Sequence, residues 1–200
     1  MALQVQQRVL VVEDDPAARR VTTTVLGLTN YEVFWGGNGI EALPILGQKK
    51  PHVMICDLQM PRMNGYVLLR LVERFFPAVG VIVVSGAFKP SRGNVEPLLA
   101  DAFFTKGEYS AEDLLDSVAA LAARFPLRPS KPSPLSLAWV PQEDAHSLWI
   151  PCRDCLECFS IVGLPANFRV GIHRVRCPSC SAQVKFLLEE SVLHRLAVAA

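Results

Sequence analysis

The sequence predicts an α/β fold, a doubly wound five-stranded parallel sheet, followed by a small β unit with a terminal helix. Three observations point there. Between Arg8 and Arg124 short β-branched runs alternate with longer amphipathic stretches, and parallel neighbours need helical crossovers. Residues 126–141 contain five prolines with Ser and Lys interleaved, a linker composition. Five of the six cysteines then fall between 152 and 180 in C-x2-C spacings, which a reducing compartment reserves for metal. The expected units are an α/β domain over 7–124, a linker over 125–148, a cysteine module over 149–187 and a helix over 188–200.

The strands are expected at Val9 to Glu13, Tyr31 to Trp35, His52 to Asp57, Gly80 to Ser85 and Asp101 to Thr105. Helices fit near 16–29, 38–47, 65–76, 92–99 and 110–124. Asp15 before Pro16 is a helix start, a capping carboxylate followed by a ring whose fixed φ suits the first helical position. Glu13 and Asp14 are left at the carboxyl end of the first strand, where open α/β sheets place their ligands. In the linker, Trp139 and Val140, with Leu148 and Trp149 beyond, are too apolar for a solvated tether, so its second half is expected to pack. Near the C-terminus, Leu188, Val192, Leu193 and Leu196 share one helical face.

Two hundred residues with half the chain apolar suit one ordinary domain plus a small one. A net charge of +1 lacks the basic excess of most nucleic-acid binders. No apolar run approaches a membrane span, and the N-terminus lacks signal-peptide order, so the expected location is cytoplasmic with no membrane partner.

Chemistry gathers at the strand ends. Glu13 and Asp14 follow the first strand, Asp57 ends the third, Ser85 ends the fourth and Lys106 follows the fifth. Crowded carboxylates repel unless a cation neutralises them, and Mg²⁺ suits a site offering few oxygen ligands. Asp57 can then act as nucleophile and form an aspartyl phosphate. Lys106 would pair with the transferred phosphate, and the Ser85 hydroxyl could donate to it. Cys56 alternates away from Asp57 along its strand and is expected to be a buried core thiol.

The runs VLVVEDDP (9–16), DLQMPRMNG (57–65), VVSGA (83–87) and FFTKG (103–107) resemble the four signature segments of response-regulator receiver domains. The likeness covers about residues 7 to 124 and implies a flavodoxin-like fold. It implies Asp57 as phosphoacceptor, Asp14 as direct Mg²⁺ ligand, Glu13 acting largely through water, and Gln59 lending a backbone carbonyl to the metal. Ser85 matches the hydroxyl switch residue, Lys106 the family lysine, and Phe103 the aromatic whose rotamer reports activation. Two positions depart: Gly107 stands where the family has a cis proline, and Phe103 lacks a phenol hydroxyl.

Cys152 and Cys155 are followed, after 21 intervening residues, by Cys177 and Cys180. This pattern resembles a zinc ribbon, two knuckles whose four thiolates close a tetrahedron around Zn²⁺ and leave no position for substrate. Cys155 and Cys158 are also C-x2-C, so Cys158 is an alternative ligand. Symmetry favours Cys152 and Cys155, because Phe159 and Val184 then fall four residues after the second cysteine of each knuckle. A unit this small needs the metal to fold. Arg169, Arg174, Arg176 and Lys185, with His173, form a basic set that would balance the thiolate charge.

The leading expectation is a response regulator, not an enzyme. A histidine kinase or phosphotransfer protein phosphorylates Asp57, and the surface near the fourth and fifth strands changes its contacts with the zinc module or an unknown downstream protein. The alternative is a DNA-binding transcriptional regulator that reads with the ribbon, disfavoured because no helix-turn-helix pattern follows.

Overall fold

The structure, a computed structural model, describes residues 6–86, 99–125, 135–141, 144, 146–162 and 168–198. Its N-terminal part runs β1 (Arg8–Val12), α1 (Pro16–Gly27), β2 (Glu32–Gly36), α2 (Gly39–Lys49), β3 (Val53–Cys56), α3 (Gly65–Phe75), β4 (Gly80–Ser85), β5 (Ala102–Thr105) and α4 (Ala111–Ala122). The strands form one parallel sheet in the order β2-β1-β3-β4-β5. This is the doubly wound, five-stranded arrangement the alternation implied. The helix expected near 92–99 falls largely outside the described residues.

Two apolar layers cover the sheet. On one side Leu10, Met54 and Val83 meet Leu43 and Leu46 of α2 and Leu68 and Leu71 of α3. On the other Val9, Ile55 and Ile82 meet Leu26 of α1 and Leu114 and Val118 of α4. Burial on both faces explains the unbroken apolar strands, since β3 and β4 are buried at every position.

Side-chain caps fix the helix starts. Asp15 accepts from the Ala17 N–H and Pro16 follows it. Asn38 accepts from the Ile40 and Glu41 N–H groups, and Ser110 forms a capping box with Asp113.

The C-terminal part runs β6 (Ser136–Leu137), β7 (Ser147–Pro151), β8 (Cys158–Val162), β9 (Gly171–Arg176), β10 (Gln183–Leu188) and α5 (Glu190–Val198). Strands β7 and β8 form an antiparallel pair; β9 pairs antiparallel with β10, and β6 adds parallel to the other edge of β10. A separate core holds Leu148, Ile150, Val184, Phe186 and Leu188. Leu188, expected on the face of the terminal helix, closes β10 instead, opposite Gly171. Its burial in this small core outweighs the helical period.

Residues 135–141 of the expected linker are ordered into this part. Leu137 and Trp139 join the apolar layer beneath α2 and α3, with Trp149, Cys158 and Leu187 packed against it. Residues 87–98, which join the fourth and fifth strands, where contacts with the module or another protein were expected to change, lie outside the described residues. The described contacts of this part run to the α2–α3 side. The apolar side chains of β6 and its neighbours decide this, because they fill the layer that α3 leaves open.

Candidate functional site

At the carboxyl ends of β1, β3 and β5 the chain gathers an acidic pocket. Glu13 and Asp57 are buried there, Asp14 is exposed, and one carboxylate oxygen from each lies within 4.8 Å of the others. Asp57 is fixed by the ladder, its N–H donating to the Val12 carbonyl at 2.9 Å. Glu13 is held by its own N–H to Gly36 O at 3.1 Å. Arg19 braces this turn: its Nη1 donates to the Glu13 carbonyl at 2.7 Å, and its guanidinium lies 4.6 Å from the centre of the Trp35 ring.

Lys106 enters from the turn after β5. Its Nζ lies 2.6 Å from Asp57 Oδ2 and 2.8 Å from Glu13 Oε2. Burial raises the Glu13 carboxyl above its ordinary range, a trend the Lys106 hydrogen bond opposes and the Asp57 charge reinforces. Burial works against the Lys106 ammonium, yet hydrogen bonds to Asp57 and Glu13 leave its pKa raised. Among the described residues the pocket therefore holds two buried carboxylates against one close ammonium, and an additional hard cation suits it electrostatically.

The other expected residues surround it. Gln59 N donates to Asp57 Oδ1 at 3.2 Å. Ser85 is fully buried at the end of β4, and its carbonyl accepts from Lys106 N at 3.2 Å. Phe103 is half-buried, packed against the α2–α3 layer. Gly107 has φ +83°, a left-handed conformation that proline cannot adopt and glycine accepts freely. Cys56 is fully buried, and its thiol is driven far up by burial first and by Asp57 second. A cavity of about 350 Å³ opens beside the pocket, lined by Ala18, Val21 and Val25 of α1, Leu114 of α4, and Tyr109.

Gly65 explains why α3 starts where it does. A Cβ there would collide with the Asp57 carbonyl, so the helix approaches the strand end closely only because residue 65 has no side chain.

The cysteines form a second centre. Cys152, Cys155, Cys177 and Cys180 bring their sulfurs within 4.8 Å of one another, with Cys152–Cys180 at 3.6 Å and Cys155–Cys177 at 3.7 Å. A tetrahedron of thiolates about 2.3 Å from Zn²⁺ would have edges of about 3.8 Å. The two knuckles have the same backbone. Cys152 N donates to Glu157 O and Leu156 N to Cys152 O, as Cys177 N donates to Ala182 O and Ser181 N to Cys177 O. Leu156 and Ser181, each following the second cysteine, have φ +61° and +62°. Burial pushes Cys177 up, but the N–H groups of Cys180 and Ser179 and neighbouring thiols outweigh it and bring it to about 7. Burial prevails at Cys152, pushed up to about 12. All six cysteines are free thiols, and the donor set fits zinc. Cys158 lies outside the cluster, packed against the apolar layer that Leu137 and Trp139 share with α2 and α3.

The model of the response regulator receiver domain matches residues 9–119. The chain belongs to the response regulator receiver family. Protein PilG of Pseudomonas aeruginosa is 28% identical over 123 residues, covering 59% of this chain and 89% of PilG. The Regulator of RpoS of Escherichia coli is 33% identical over 81 residues, 40% of this chain but only 24% of that protein. Probable transcriptional regulators ycf27, such as that of Porphyra purpurea, are matched over about a quarter of their length (25%). Among solved structures, a receiver domain of a Francisella response regulator superposes with TM-score 0.54 at 25% identity, over 60% of this chain and 98% of that one. A CheY-like receiver protein from Methanospirillum hungatei gives 0.53 at 25% identity, over 60% and 95%. Receiver domains are non-enzymatic signalling modules phosphorylated by histidine kinases. Among the described residues no helix is long and apolar enough to cross a membrane.

Proposed function

We propose that this chain is a cytoplasmic response regulator whose Asp57 accepts a phosphoryl group from a histidine kinase or phosphotransfer protein, and that its output runs through protein–protein contacts of the four-cysteine module. The observation that carries this reading is the pocket itself: Asp57 buried beside Glu13 and Asp14, with the Lys106 ammonium 2.6 Å away. Asp57 attacks the phosphorus of a phosphohistidine; a P–O bond forms, the P–N bond breaks, and the imidazole leaves with the electron pair. Glu13, Asp14, Asp57 and the Gln59 carbonyl would hold Mg²⁺, which when bound offsets the charge of the incoming phosphoryl group.

Lys106 exchanges its Asp57 carboxylate contact for the new phosphate oxygens, and the Ser85 hydroxyl donates to another. Phe103, paired with Val83 in the β4–β5 ladder, reports the change. Cys152, Cys155, Cys177 and Cys180 would bind a structural Zn²⁺ that holds the two hairpins together. Arg174, Arg176 and Lys185 stand exposed on one face of the β9–β10 ribbon, where they offset the double negative charge of a Zn²⁺–thiolate centre.

Radiolabel transfer from acetyl phosphate tests the reading. Wild type should take up label only with Mg²⁺, and Asp57→Asn should take up none. A wild type that stays unlabelled with Mg²⁺ present would overturn it.

A further inference from the structure

We propose that the outer edge of β9 is a docking strand for an acidic, extended segment of a partner protein, which joins the β6-β10-β9 sheet and sets its carboxylates against Arg174 and Arg176. This rests on the reading of the four-cysteine module as the output surface and names the chemistry of what it takes.

The edge is open and long. Strand β9 ends its sheet, with β10 as its neighbour. Alternate backbone groups of a strand face opposite ways, so half of the N–H and C=O groups of β9 point away from β10. Among the described residues they meet no other backbone. The six residues pair with β10 in unbroken register and include no proline, so neither a bulge nor a ring blunts the edge. Charge alone guards it.

That charge is unanswered. Ile172, Arg174 and Arg176 are exposed while the residues between them are half-buried, so the three share one face. Across the ladder Lys185 stands directly opposite Arg174, and Gln183 opposite Arg176. Like charges in that relation destabilise a sheet, and no salt bridge among the described residues involves Arg174, Arg176 or Lys185. Glu189, just after β10, is taken by Arg70 of α3, Nη1 to Oε2 at 2.9 Å. Offsetting a Zn²⁺–thiolate centre through space uses the charge of these cations but leaves their N–H donors available.

Other occupants fit less well. The receiver takes a different part of the module: Leu156 of the first knuckle lies over Gly47 of α2, where any Cβ would collide with its Cδ1, whereas Arg174 and Arg176 remain exposed. A second copy of β9, paired antiparallel about its middle, would set Arg174 against Arg174. Nucleic acid would meet the cations but cannot pair with a backbone edge, and Val170 and Ile172, 58% and 59% exposed, offer no aromatic platform for bases. An acidic strand answers every feature. Its backbone completes the ladder, its carboxylates take the guanidinium forks, and an apolar side chain covers Ile172.

The experiment titrates the full chain with a fluorescein-labelled peptide, Val-Thr-Glu-Thr-Glu-Thr-Val, whose alternation suits either strand direction, and reads fluorescence anisotropy. This peptide should bind about tenfold or more tightly than the same peptide with Lys in place of Glu. Methylation of every second backbone nitrogen, made in both registers, should abolish binding in one of them, because one edge of the peptide must donate to β9. Arg174→Glu combined with Arg176→Glu should weaken the acidic peptide about tenfold and strengthen the Lys peptide. Both side chains are exposed, and the methylation arm uses wild type, so the outcome does not hang on a variant that folds. Equal binding of the two peptides, or indifference to methylation in both registers, would overturn the docking strand. Self-association of the chain that the double exchange abolishes would overturn it as well. Duplex DNA bound more tightly than the acidic peptide, and lost in the same double variant, would overturn the docking strand and the protein-contact output together. Failure of every probe would overturn the docking strand alone, so the two failures are distinguishable.

Discussion

Lys106 is the residue whose surroundings say most about the pocket. Its ammonium touches both Glu13 and Asp57, so a metal ion must compete with it for the same carboxylates. Lys106→Ala should therefore tighten Mg²⁺ binding, measured by titration calorimetry, while phosphoryl uptake falls because the phosphate loses its ammonium partner. Part of this was legible in sequence: five residues at strand ends, in four recognisable segments, pointed to the proposed acceptor and its neighbours. The double pairing of Lys106 was not, because it depends on side-chain reach and not on spacing. His52 is a residue the sequence reading left as an ordinary strand position. It is nearly buried, its Nδ1 accepts from Arg8 N at 2.9 Å, and its ring packs edge-on against Phe125. Burial lowers its pKa below 6.5, so the unfolded chain binds more protons and stability rises with pH. The contribution is complete above about pH 6.5 and is lost as pH falls through the folded pKa. Urea denaturation across that range should show wild type losing more stability on acidification than His52→Gln.

Helix α3 joins chemistry to packing. Its first residue, Gly65, is pressed against the Asp57 backbone, so Gly65→Ala should cost about 1–3 kcal/mol in denaturant unfolding and slow phosphoryl uptake by displacing the strand end. Asn38→Ala at the start of α2 should cost about 1 kcal/mol through lost capping without moving the acidic pocket, which makes it the control. The long elements were readable because β-branched runs and capped amphipathic stretches agree with their neighbours; Asp15 and Pro16 mark α1 where the structure begins it. Short elements were not. Strand β6 is two residues long and pairs with Phe186 and Leu187 far along the chain, so no local period announces it. Leu188 satisfied a helical pattern as well as a strand ending, and only the pairing with Gly171 decides between them.

At the scale of the whole molecule, two cores share one boundary. The receiver layers do not rest on the cysteines, whereas the small core of β6–β10 surrounds Cys152 and Cys177, and on the proposed zinc reading so small a core depends on the metal. Chelation of the proposed Zn²⁺ should therefore change the fluorescence of Trp139 and Trp149, whose rings lie 6.2 Å apart, while the receiver still takes up phosphoryl groups. The sequence separated the two units but not their contact, because the pair that joins them spans 119 residues and its glycine, Gly47, looks like any helical glycine. The central claim remains that Asp57 is the acceptor. Borohydride reduction of the acyl phosphate, followed by peptide mass spectrometry, tests it most directly. Homoserine should appear at position 57 alone after treatment with acetyl phosphate and Mg²⁺; reduction at another carboxylate, or at none, would contradict it.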